Sequence, residues 1–201
     1  ITNFVLTNNF DGIDLDFEGF AFSDGTSSWP ATRVNWVAFI NELSLSLHAF
    51  DKLLSVTTPV LFDPTSGKKG YYVYDWASIA SMIDRLRIMT YDYSTSSPGP
   101  IGPTSWAEQS IQYAVSVVPA SKVYVGIAGY GRDWVTKVVG VCPSNVASAI
   151  STSSRAATFL MKDAANLAAS YGATPVYNTA HGEVTFSYTK VYSGTASSGL
   201  A

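Results

Sequence analysis

The sequence predicts an α/β protein built on parallel strands, and three observations carry that expectation. Short apolar runs of strand length alternate with longer segments of helical period. The 201 residues are enough for one domain with a real core. The composition, 47% hydrophobic and 13% aromatic, supplies the side chains to fill it. Repeated strand–helix units imply parallel strands joined by crossover helices.

Gly12–Phe17 reads as the first strand, with Ile13, Leu15 and Phe17 alternating against Asp14 and Asp16. Residues 30–50 read as a helix whose stripe is Val34, Val37, Ile40, Leu43 and Leu47, with Trp36 in its core. Leu53–Thr58 is the second strand. A long loop from Pro59 to Tyr74 leads to a short helix over Asp75–Met82. Arg85–Tyr91 is the third strand. Ser105–Val118 is the second long helix, opened by a Ser105/Glu108 capping box and ended by Pro119. Lys122–Ala128 is the fourth strand. Beyond Trp134 the rhythm changes. Ala156–Tyr171 reads as a helix closed by Gly172. Thr174–Asn178 and Glu183–Tyr188 read as short strands around the turn Thr-Ala-His-Gly. This is α+β material, expected as a small subdomain over 135–192, after a main body over 1–134. From Ser193 a Ser/Gly/Ala-rich tail, 193–201, is expected to fray.

Several function classes are disfavoured. Charged residues make up 13% of the chain, against about 25% in typical globular proteins, and the net charge is −3. With no long basic run, nucleic acid is not the expected partner. No apolar stretch reaches membrane-spanning length, so no membrane partner is expected either. The chain opens on Ile1 without a signal-peptide pattern, so further sequence upstream is expected. His48 and His181 lack companions at ligand spacing, which predicts no metal site, and no cofactor is implied. Cys142 stands alone; pairing with a cysteine of a longer protein is an expectation that thiol titration would test.

The most informative segment is Phe10-Asp-Gly-Ile-Asp-Leu-Asp-Phe-Glu-Gly-Phe. Asp11, Asp14, Asp16 and Glu18 place four of fifteen acidic residues in eight positions. Period-two geometry turns Asp14, Asp16 and Glu18 to one face, with same-face Cα atoms about 6.5–7 Å apart. Like charges along a strand repel, so a purely structural strand would avoid such a row.

That run resembles the DxxDxDxE signature of glycoside hydrolase family eighteen, the chitinases and their relatives. Met89-Thr90-Tyr91-Asp92 resembles the family's MxYD motif. Gly126-Ile-Ala-Gly-Tyr-Gly-Arg132 resembles its next motif, with Ala128 where proline is usual. The segment Tyr91–Pro103 is most similar to the bacterial branch that includes chitinases and cell-wall N-acetylglucosaminidases. The likeness runs from about Asn9 to Tyr192.

The resemblance implies a (β/α)8 TIM barrel with its active site at the strand C-terminal ends. The four strands would be barrel strands four to seven, and the later segment the α+β insertion before strand eight. Strands one to three and eight, with the tryptophan floor of the sugar site, are absent from this sequence. A fragment of a larger enzyme is therefore expected. The resemblance makes Glu18 the general acid and Asp16 the group that orients a substrate acetamido N–H. Tyr91 would donate to the attacking acetamido oxygen, Asp14 would tune Asp16, and Asp11 would brace the strand's entry. Met89, Asp92, Tyr130, Arg132 and Trp134 are carried over as sugar contacts, Met89 with core filler as its stronger reading. Carboxylates crowded in a poorly hydrated interior are expected to share protons, leaving Glu18 protonated as donor. The implied reaction is substrate-assisted retaining cleavage of β-1,4-linked N-acetylglucosamine polymers, an exception to the two-carboxylate rule.

Other readings stand beside it. They are a peptidoglycan-directed N-acetylglucosaminidase, a non-catalytic chitin-binding lectin-like relative, and a calcium or structural role for the acidic row. An Mg²⁺-dependent phosphatase of the haloacid dehalogenase type, with Asp14 and Asp16 as its Asp-x-Asp, is a further one. Low charge and a Ser/Thr/Tyr surface suit a secreted, bacterial enzyme meeting an insoluble polymer. Oligomeric state is not legible.

Overall fold

The computed structural model describes residues 1–140 and 157–191. The pairing expected of Cys142 and the tail expected from Ser193 lie outside those residues. The chain divides into two compact units, Ile1–Thr90 with Ser105–Ile127, and Tyr91–Thr104 with Ala128–Ala201.

The first unit is a four-stranded parallel sheet in the order β1-β2-β3-β4. Its strands are β1 (Gly12–Leu15), β2 (Leu53–Pro59), β3 (Arg85–Met89) and β4 (Val123–Gly126). Helices α1 (Thr2–Thr7), α2 (Gly19–Phe22), α3 (Trp29–His48), α4 (Trp76–Ile79) and α5 (Thr104–Val117) each contribute to its core. The expected strand–helix alternation and parallel pairing are both present; the strands are mostly shorter than the apolar runs suggest.

Register sorts the residues into two faces. Ile13, Leu15, Leu54, Val56, Leu86, Ile88 and Val123 share one face. The opposite face carries Asp14, Ser55, Thr57, Arg85, Arg87 and Tyr124. The apolar face makes the core, with Leu54, Val56, Leu86 and Ile88 all fully buried against Ile40, Leu47, Trp76 and Ala114. Burying a side chain of this size stabilises by about 1.5–3 kcal/mol. Two tryptophans fix the helices on that core through their ring N–H groups. Trp36 donates to the Tyr74 carbonyl at 3.0 Å, and Trp76 donates to Thr58 Oγ1 at 2.9 Å.

Three local expectations need correction. Val34 is 64% exposed, because the α3 seam runs through Trp36, Ile40, Leu43, Ser44 and Leu47. Thr104 is the first residue of α5, so Ser105 lies inside the helix and cannot be its cap. The single helix expected over residues 156–171 is a strand followed by a helix. These are β6 (Ala157–Leu160) and α6 (Ala164–Ser170), separated by one 3₁₀ turn.

The second unit is built on antiparallel pairs. β5 (Tyr130–Asp133) pairs with β6, and β7 (Val176–Asn178) pairs with β8 (Glu183–Thr185). Gly131 in β5 leaves room for the Phe159 ring, since a Cβ there would lie 2.4 Å from it. The expected turn closes the second hairpin, with Gly182 at φ +73°. Among the described residues no helix is long and apolar enough to cross a membrane.

Candidate active site

The acidic row spans the end of β1 and the turn beyond it. Asp11 is exposed, and its carbonyl accepts the Leu53 N–H at 2.9 Å, one step before the β1–β2 ladder begins. Asp14 lies on the polar face. It accepts a hydrogen bond from Thr57 Oγ1 at 2.7 Å and pairs with Arg87 Nε at 3.6 Å. Asp16 is exposed just past the strand. Glu18 is half-buried at the N-cap position of α2, where its carbonyl accepts the N–H groups of Ala21 and Phe22.

The expectation of a poorly hydrated cluster needs correction. Asp14 and Asp16 are both exposed. Asp14 is met by a hydroxyl and a guanidinium. Arg87 thus supplies positive charge against the row's mutual repulsion.

Tyr74 is the support that reading the sequence missed. Its side chain is fully buried, in contact with Phe20 and Trp36, and its hydroxyl donates to the Phe17 carbonyl at 2.8 Å. Burial first, then the charges of Glu18 and Asp16, hold its phenol above the ordinary value of 10.0. It therefore stays a donor, pinning the backbone one residue before Glu18. The aromatic run Tyr71-Tyr72-Val73-Tyr74 is the only sequence signal that could have marked it. Thr57 and Arg87 were missed too; the polar alternation of β2 and β3 was their signal.

Met89 ends β3 in register with Gly126, and Thr90 beside it donates to the Gly126 carbonyl at 2.6 Å. The other expected contacts belong to the second unit. Asp92 takes a left-handed backbone, φ +58°, uncommon outside glycine. Its Oδ1 accepts from Tyr130 Oη at 2.6 Å, Arg132 Nε at 3.1 Å and Arg132 Nη2 at 2.5 Å. The Arg132 guanidinium also lies over the Tyr130 ring at 5.5 Å. Burial, then the bond to Asp92, pushes the Tyr130 phenol up to about 12. The Tyr91 ring stands edge-on to Tyr130, with centroids 6.3 Å apart. Trp134 is half-buried and donates to the Thr95 carbonyl at 3.3 Å. The structure thus assembles two clusters: Asp14–Thr57–Arg87 beside Asp16 and Glu18, and Asp92–Tyr130–Arg132 beside Tyr91.

Comparison with known proteins adds to this geometry. The sequence model described as Glycosyl hydrolases family 18 matches residues 1–191. The chain is 29% identical over 154 residues to "Putative sporulation-specific glycosylase YdhD" of Bacillus subtilis, covering 75% of this chain and 33% of that protein. It is 27% identical over 183 residues to "Uncharacterized glycosylase YvbX" of the same organism, covering 90% and 47%. A solved chitinase from Chromobacterium violaceum superposes with a TM-score of 0.75 at 31% identity, covering 93% of this chain and 52% of that one. The chain spans between a third and a half of the length of these two curated relatives.

Proposed function

This chain belongs to the family 18 glycosyl hydrolases, and we propose that it carries the acid-bearing part of a glycosidase acting on β-1,4-linked N-acetylglucosamine. In this reading β1 to β4 are barrel strands four to seven, residues 1–134 form the catalytic part, and 135–192 form the insertion. The observation that carries it is the acidic row in three dimensions. Asp14 is charge-paired on a polar sheet face, Asp16 is open at the strand end, and Glu18 heads the next turn with its backbone held by Tyr74.

Glu18 protonates the glycosidic oxygen as the C1–O bond breaks. The carbonyl oxygen of the substrate's own 2-acetamido group bonds to C1 and gives an oxazolinium ion. Asp16 orients the acetamido N–H and stabilises the positive charge, and Tyr91 donates to the attacking oxygen. Water, deprotonated by Glu18, then opens the ring with retention. Asp92, Tyr130 and Arg132 act as one polar unit on the sugar, Trp134 and Met89 are further sugar contacts, and Asp11 supports the strand's entry. The fold and composition suit a secreted protein meeting an insoluble polymer, with no cofactor in the cycle.

The test is proton NMR of N-acetylglucosamine oligomers under the wild-type chain and Glu18→Gln. The β-anomer should appear first, and Glu18→Gln should lose turnover by at least about 100-fold. The α-anomer appearing first, or full activity in Glu18→Gln, overturns the proposal. A second reading, peptidoglycan as substrate, is favoured by the sporulation-specific relative. Release of reducing ends from purified peptidoglycan but not from chitin oligomers would select it. Oligomer binding with no turnover would select the lectin-like alternative.

A further inference from the structure

The short helix after Glu18 contains two phenylalanines with opposite fates. Phe20 packs inward, its ring 5.1 Å from Tyr74 and 5.4 Å from Trp36. Phe22 points outward and is 53% exposed. Its edge meets Tyr71 with centroids 5.0 Å apart and planes at 63°. Tyr71 is in turn 5.9 Å from Trp29 and is tied by its backbone N–H to the Val60 carbonyl at 3.2 Å. Phe22 is therefore exposed yet held, unlike a frayed surface side chain.

Its place relative to Glu18 gives this exposure a use. The Phe22 N–H bonds the Glu18 carbonyl at 3.1 Å, so the two residues are one helical turn apart. Residues at that spacing lie on the same side of a helix, with Cβ atoms about 5–6 Å apart. Around Gly19, between them in sequence, nothing lies within 4 Å of where a Cβ would stand. The flanking Ser23, Asp24, Gly25 and Thr26 are all exposed, so the free side of Phe22 is bordered by polar residues that follow it in the chain. A flat ring braced from one side and bordered by polar residues matches the C–H face of a neutral pyranose better than an extended apolar partner.

We propose that Phe22, braced by Tyr71, is a stacking platform for the pyranose ring adjoining the linkage that Glu18 protonates. The platform rests on the glycosidase reading for its position but not for its ability to bind sugar. On the leaving side of that linkage the ring undergoes no change at C1, so its stacked C–H face is held nearly equally in the ground and transition states; loss of the platform then raises KM and leaves kcat nearly unchanged.

The experiment uses the full chain with tetra- and hexa-N-acetylglucosamine. Phe22→Leu keeps the apolar contact with Tyr71 and removes the flat face; Phe22→Tyr restores the face. Phe22→Leu should raise KM about three- to tenfold with kcat within about twofold, and Phe22→Tyr should return KM to the parent value. Calorimetric binding in a Glu18→Gln background should weaken by the same factor. Equal KM and equal binding in the Leu and parent proteins overturn the platform while leaving the glycosidase reading intact. A chain that binds oligomers through Phe22 but never cleaves them fails the catalytic reading and leaves the platform standing. A chain that binds none of the oligomers overturns both.

Discussion

Gly12 is the second residue of the acidic motif, and its role is steric. A Cβ built at Gly12 would lie 2.2 Å from the Leu53 carbonyl oxygen and 2.7 Å from Leu53 Cβ. Leu53 is its register partner on β2, so the obstacle is backbone and cannot rotate away. An ordinary contact needs about 3.4 Å, so Gly12→Ala must push β1 from β2 by roughly 1 Å at that end. Overpacking of a tight site costs about 1–3 kcal/mol, and a backbone obstacle belongs at the top of that range. For a chain of this length, each kcal/mol lowers the melting temperature by about 2–4 °C. Gly12→Ala should therefore melt about 5–10 °C below wild type, followed by tryptophan fluorescence. Gly19→Ala is the control, since its Cβ meets nothing within 4 Å and alanine suits a helix better; it should melt at or slightly above wild type. A displacement of that size at the base of the acidic row should also cost about 100-fold in turnover, beyond the loss of folded protein. A Gly12→Ala chain melting within 1 °C of wild type would refute the close-approach argument; so would an equal fall in Gly19→Ala.

Tyr74→Phe leaves the Phe17 carbonyl without its donor and should cost about 1–2 kcal/mol in urea unfolding, with turnover falling as Glu18 loses its backbone anchor. Because the Tyr74 phenol is raised above 10.0, its contribution to stability is complete below pH 10 and is lost as pH climbs beyond it; the Phe variant should show a shallower alkaline loss. Burial alone would raise the Asp84 carboxyl, but the Leu54 N–H, His48 and Lys122 outweigh it and hold it below 3.8. Its stabilisation is therefore complete above that pH and fades as pH falls below it, so Asp84→Ala should lose about 1–3 kcal/mol near pH 7 and flatten the acid limb of the stability curve. Arg132→Lys replaces two donors on Asp92 with one ammonium and should lower turnover at least about tenfold with little change in melting temperature.

What the sequence made legible was whatever is encoded locally. Strand β3 and the α3 seam from Ile40 to Leu47 follow from period, and the parallel pairing of β1 to β4 follows from alternation of element types. The acidic row was visible because its spacing is itself a pattern. Its surroundings were not, because Thr57 and Arg87 reach Asp14 from two other strands, 43 and 73 positions away. The same limit hid β5, whose Tyr-Gly-Arg-Asp has no alternation and whose partner, β6, follows a long intervening segment. The alanine-rich stretch over residues 156–171 reads as one helix by propensity. Tertiary pairing overrides that for Ala157–Leu160, where Phe159 lies over Gly131.

The two faces of the sheet separate stability from chemistry. Parallel sheets ordinarily bury both faces, and their strands then read as continuous apolar runs. Here β2 and β3 alternate, so only one face contributes hydrophobic free energy. The other holds Arg85 over the Tyr124 ring at 5.6 Å, the Asp14–Arg87 pair, and the buried Ser55 hydroxyl, which has no hydrogen-bond partner among the described residues. Exposed ion pairs contribute about 0–1 kcal/mol, so this polar arrangement adds little to folding. It fixes where charge lies at the end of the strand carrying Asp16 and Glu18. Substitutions on the apolar face, such as Ile88→Ala, should then act through melting temperature, by about 2–5 kcal/mol. Thr57→Ala or Arg87→Ala should barely move the melting temperature and should act through turnover instead. A sheet serving only as scaffold would show the opposite ordering.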